Sequence, residues 1–108
     1  AGFFGAIHTA EQRPGLKIAI LEKTGDILSK VRISGGGRCN VTNAIRPLKK
    51  FAEAYPRGEQ LMKKLLPVFG PDETIRWFET HGVPLKTEPD GRLFPQSNTS
   101  ESIISCLT

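Results

Sequence analysis

Residues Ser34-Gly35-Gly36-Gly37-Arg38-Cys39-Asn40-Val41-Thr42-Asn43 set three glycines directly before a cluster of polar side chains. Consecutive glycines bring nothing to a packed core, and they lose more backbone freedom on ordering than any other residue. They suit backbone that passes close to a bulky ligand or turns through positive φ. Arg38, Asn40, Thr42 and Asn43 then add a fixed guanidinium charge and several hydrogen-bonding groups to the same short region. The chemistry served is recognition of an anionic, oxygen-rich ligand, and a nucleotide or dinucleotide fits best.

Other chemistries are less well supplied. The glycines are not followed by Lys and Ser or Thr, so the segment is not a P-loop. Ser34 lacks the G-x-S-x-G frame of an esterase nucleophile. His8 and His81 belong to no cluster with ligand spacing, so no metal is expected. Cys39 has no nearby partner for disulfide exchange and is read as a small packing residue beside a cofactor. No catalytic acid or base stands out.

A second constellation lies upstream. In a dinucleotide-binding βαβ unit, a glycine fingerprint opens a helix toward the pyrophosphate, and an acid about 20 residues on takes the ribose hydroxyls. Gly2 fits the third glycine of such a fingerprint and Glu22 fits the acid.

These groups need elements to hold them. Residues 2–13 predict a helix with Gly2, Gly5, Ala6, Thr9 and Ala10 in one small-residue stripe, ended by Pro14-Gly15. Leu16 to Leu21 predicts a strand buried on both faces of a parallel sheet and closed by Glu22. Residues 23–43 read as mostly irregular, with a short element from Ile27 to Ile33. Helical segments follow at Lys49–Ala54, at Glu59–Val68 and from Pro71 to Gly82. Leu85–Glu88 and Arg92–Phe94 form a β-hairpin, and Asn98 with Glu101 reads as a capping box before a last helix.

Several segments are similar to the BaiN-type, aminoacetone-oxidase-like FAD-dependent oxidoreductases. They are Ile20-Leu21-Glu22-Lys23, Leu28-Ser29-Lys30-Val31 and Ile33 through Asn43. Ala54-Tyr55-Pro56-Arg57, Trp77-Phe78, Gly82-Val83 and Asp90 through Pro95 follow. The Gly35–Asn40 stretch is the most specific, and the later matches add order and spacing. The resemblance spans the chain and matches the N-terminal part of such a protein. It implies that Gly2 approaches the FAD pyrophosphate, that Glu22 takes the adenosine ribose, and that Ser29 and Lys30 line the pyrophosphate. It also implies that Gly35, Gly36, Gly37, Arg38, Cys39 and Asn40 pass the ribityl chain and flavin, with Lys23 and Thr42 among the cofactor-binding residues. Arg38 would stabilise a reduced, anionic flavin.

Composition sets the remaining bounds. The chain has 108 residues, 38% hydrophobic, and a net charge of +4. Residues 30–64 hold nine Lys or Arg against Glu53 and Glu59. Such a stretch attracts phosphate, on a cofactor or on nucleic acid, or serves as a solvated face. No apolar run reaches the ~20 residues of a membrane span. Ala1–Ile7 has no basic region before it and is not expected to be a signal peptide. Two distant cysteines favour a cytoplasmic setting.

The expectation is an α/β chain: a truncated Rossmann-like FAD/NAD(P)-binding domain of three layers around a parallel sheet. It lacks its first strand and carries added helices and a β-hairpin. Residues 1–108 would be the N-terminal FAD-binding portion of a flavin-dependent oxidoreductase acting on a small organic substrate, with NAD(P)H or oxygen closing the cycle. The competing expectations are a basic nucleic-acid-binding module and an inactive relic. Nucleic acid and membrane are not expected partners, and the 108 residues alone are expected to bind FAD poorly.

Overall fold

Helix α1 (Gly2–Gln12) forms where the sequence predicts and gives way to the Pro14-Gly15 turn. Its Phe4–Ile7 side turns toward the core, and Phe4 meets the Trp77 ring edge-on at 4.8 Å. The small-residue stripe faces away: Gly2, Gly5, Thr9 and Ala10 are exposed. The computed structural model describes residues 1–108, an α/β arrangement of six helices and three short strands.

The sheet differs from expectation. Leu16–Leu21 pairs with no strand, and Leu16 and Leu21 are 58% and 96% exposed. An apolar strand of a parallel sheet is buried by neighbours on its edges and faces, whereas residues 16–21 are all exposed and have no strand beside them. All pairing falls instead to β1 (Thr42–Asn43), β2 (Leu85–Thr87) and β3 (Arg92–Pro95), antiparallel throughout in the order β1-β3-β2. The expected hairpin is present, with Lys86 opposite Phe94. Its turn is closed by Gly91 N–H on Glu88 O and by Arg92 N–H on the Asp90 carboxylate, at 2.9 and 3.1 Å. β1 arises in a segment read as irregular. Two residues carry too little pattern to announce a strand, and β3 supplies the edge they pair with (Thr42 opposite Leu93).

α2 (Ser29–Gly37), α3 (Leu48–Glu53), α4 (Glu59–Leu65) and α5 (Pro71–Thr80) follow the expected order. α5 opens on Pro71, and the Glu73 carboxylate accepts the Gly70 N–H at 2.8 Å. The last helix, α6 (Glu101–Leu107), does not use the expected cap. Asn98 lies two residues too early with φ 57°, in a turn whose N–H goes to Pro95 O; buried Ser100 stands at the helix start instead.

The main core joins Cys39, Trp77, Phe78, Val83, Leu85, Leu93 and Ile103; a smaller one joins Phe51, Ala52 and Leu66 between α3 and α4. Only 16 of 108 residues are buried. The radius of gyration is 14.7 Å, above the roughly 13 Å of a compact chain this long. Much apolar surface therefore stays open, concentrated in residues 16–21 and along Leu61, Leu65 and Val68.

Candidate functional site

The glycine loop is the best-defined part of the site. α2 keeps helical backbone only through Ile33: Ser34 swings to ψ 150°, and Gly35 and Gly36 enter the left-handed region at φ 56° and 67°. Gly37 continues at φ 83°, and Cys39 returns its N–H to Ser34 O at 3.0 Å, closing the loop. The expected turn through positive φ is present at all three glycines. The expectation that none of them serves packing is corrected at Gly35. A Cβ there would stand 2.7 Å from Phe94 Cε1 and 2.8 Å from Asn40 N, so this close approach is to the protein itself. At Gly36 and Gly37 a Cβ would meet nothing within 4 Å. Those two glycines leave the backbone bare to a ligand.

Arg38 is held from two sides. Its guanidinium lies 3.9 Å over the Phe94 ring, and Nη1 pairs with Glu88 Oε1 at 3.3 Å. A planar cation stacked on a ring and tied to a carboxylate has little freedom left, so its charge is fixed in place. Cys39 is a core residue: burial pushes its thiol upward, opposed by a hydrogen bond with Ser34. A thiol in that state is a poor nucleophile. Asn40 is exposed at the rim of an apolar cavity of about 300 Å³ bounded by Phe4, Val31, Cys39, Phe78 and Ile103. Thr42 belongs to β1.

The upstream residues present their groups openly. α1 has no side-chain cap and no acid in its first turn, and its first bonded amide is Gly5 N–H on Ala1 O at 2.9 Å. The amides of residues 2–4 are thus left for an outside acceptor, and Gly2 puts no side chain in the way. Glu22 accepts the N–H and Oγ1 of Thr24 at 3.0 and 3.1 Å, and these bonds hold its carboxyl below the usual range. Lys23 and Lys30 are exposed and enter no ion pair, while Ser29 is the first residue of α2. No side-chain hydrogen bond or ion pair joins Gly2, Glu22 or Lys23 to residues 35–42. The two parts of the candidate site stand separately.

The free amides, the bare glycine backbone, the fixed Arg38 and the exposed lysines suit an anionic dinucleotide-type cofactor. Within the basic stretch, Arg32, Arg38, Arg46 and Lys63 pair with Glu101, Glu88, Asp72 and Glu59. Lys30, Lys49, Lys50, Arg57 and Lys64 face solvent. No cluster of His, Cys, Asp and Glu could hold a metal, and no helix is long and apolar enough to cross a membrane. Sequence reading passed over Glu88, Phe94 and Ser100. Glu88 and Phe94 are expected only as hairpin residues and Ser100 has no expected role, because contacts fifty or more positions apart leave no periodic signal.

Over 107 residues, 99% of its length, the chain is 28% identical to a 3-dehydro-bile acid delta(4,6)-reductase of Clostridium scindens. It spans about a quarter of that protein (25%). A model of the HI0933-like protein Rossmann domain matches residues 1–108 in full. With its open helix start and its glycine loop, the chain belongs to the HI0933-like Rossmann domain family.

Proposed function

We propose that residues 1–108 form the N-terminal, FAD-binding portion of a flavin-dependent oxidoreductase. The observation that carries this reading is the loop at Gly36–Arg38, left-handed and open to a ligand, with one fixed positive charge at its end. The α1 amides and Gly2 take the pyrophosphate, and Glu22 takes the adenosine ribose with Lys23 beside it. Ser29 and Lys30 add donors to the phosphates. Gly36 and Gly37 let the backbone approach the ribityl and flavin portion, with Asn40 and Thr42 close along the chain. FAD, when bound, supplies the hydride chemistry. Arg38 supplies a charge that favours its reduced, anionic form.

In this reading Leu16–Leu21 is a strand of a three-layer parallel sheet whose other strands come from outside these residues. The small face of α1 lies over that sheet, which accounts for its lack of large side chains. The substrate is a small organic molecule, in keeping with the name of the bile acid reductase relative, and NAD(P)H or oxygen closes the cycle. Both cysteines are free, in keeping with a cytoplasmic setting.

Titration of the protein carrying its flanking coding sequence tests the adenosine half directly. FAD binds, ADP competes with it and FMN does not; Glu22→Gln weakens FAD and ADP together. Equal binding of FMN and FAD would defeat the assignment of Gly2 and Glu22.

A further inference from the structure

The glycine loop is braced by residues from the far end of the chain. Ser100 carries the one buried polar side chain of the molecule. Its N–H donates to Gly37 O and its Oγ donates to Arg32 O, both at 2.8 Å. These two carbonyls flank the place where α2 leaves helical backbone. There they lose the intrahelical partners a longer helix would give them. Phe94, fully buried, stands behind the loop, with its ring against Gly35 and beneath the Arg38 guanidinium.

We infer that Phe94 and Ser100 are positioning residues for the Gly35–Arg38 loop. Three glycines left alone sample many conformations, and a ligand would have to order them on binding. Ser100 fixes both ends of the turn, and Phe94 fixes its depth and the direction of Arg38. Gly36 and Gly37 are thereby presented preformed. The consequence for cofactor binding rests on the reading given above, whereas the positioning itself does not.

Amide hydrogen exchange on the protein carrying its flanking sequence tests the positioning. The reporter is Cys39 N–H, bonded across the loop to Ser34 O; the control is Val83 N–H, bonded to Phe78 O in the main core. Ser100→Ala is expected to speed Cys39 exchange about tenfold with Val83 unchanged, a local opening. Ser100→Thr, which keeps the donor, restores the slow rate. An unchanged Cys39 rate, or an equal rise at Val83, would overturn the inference. If Ser100→Ala yields no folded protein, Ser100→Cys gives the same comparison with a weaker donor, and an unchanged Cys39 rate again overturns it. In the longer protein, Ser100→Ala is expected to weaken FAD binding several-fold and Ser100→Thr to restore it. Full FAD affinity in the alanine variant would overturn the cofactor consequence. Failure of the wild-type protein to take up FAD would instead defeat the cofactor reading, leaving the exchange result intact.

Discussion

The two parts of the candidate site are built differently. The Ser34–Asn43 loop is closed by its own Cys39 bond, backed by Phe94 and tied to Ser100. The α1 start and the segment from Leu16 to Lys23 carry equally suggestive residues, yet downstream contacts fall on α1, where Phe4 packs on Trp77 and Phe69 and Glu11 pairs with His81, while residues 16–23 stay exposed. A loop of mobile residue types is thus the better supported part, while the segment with the stronger strand pattern stands exposed. Preorganisation comes from what packs behind a site rather than from the residues that face the ligand.

The largest effects should separate these parts by burial. Leu93→Ala, at a residue 2% exposed, is expected to destabilise by about 2–5 kcal/mol. Leu21→Ala, at 96% exposed, should stay within about 0.5 kcal/mol. Urea midpoints measure both, and equal losses would mean that residues 16–21 are packed after all.

Within the loop itself, Gly35→Ala is expected to cost about 2–5 kcal/mol, since left-handed strain adds to the collision with Phe94 and Asn40. Gly36→Ala carries only the strain, about 1–2 kcal/mol, and leaves the fold intact. In the longer protein Gly36→Ala should impair FAD binding more than stability, which would sharpen the distinction between the packed glycine and the open ones.

A smaller effect concerns the thiols. Burial raises both Cys39 and Cys106, with Cys39 in the core and Cys106 only partly buried. An aromatic disulfide reagent should therefore label Cys106 first and reach Cys39 only on unfolding. Rapid labelling of Cys39 in the native protein would reopen a redox role for it.

The smallest effect is on pH dependence in the open part. Glu22 sits below the usual carboxyl range because Thr24 donates to it. Its contribution to the local turn is complete above the ordinary value of about 4.3 and fades as pH falls through the depressed one. The Thr24 amide shift should follow that titration, and Glu22→Gln should abolish it.

The sequence made the elements legible where local chemistry decides them. The Pro14-Gly15 stop, Pro71 at the start of α5 and the Pro89-Asp90-Gly91 turn all fall where their residue types require. It is insufficient where partners decide. Leu16–Leu21 has the pattern of a buried strand but no strand beside it, and Asn98 has the side chain of a cap in a backbone turned away from the helix. The chemistry of Gly35–Arg38 was visible in composition; its brace was not. Nothing in the spacing of Phe94 and Ser100 relates them to a loop more than fifty residues upstream.

The central claim is that this domain holds FAD, and the most direct measurement is the identity of any chromophore carried by the protein with its flanking sequence. A visible flavin spectrum, with FAD released on denaturation, is the result expected. A colourless protein that takes up no added FAD would contradict the claim.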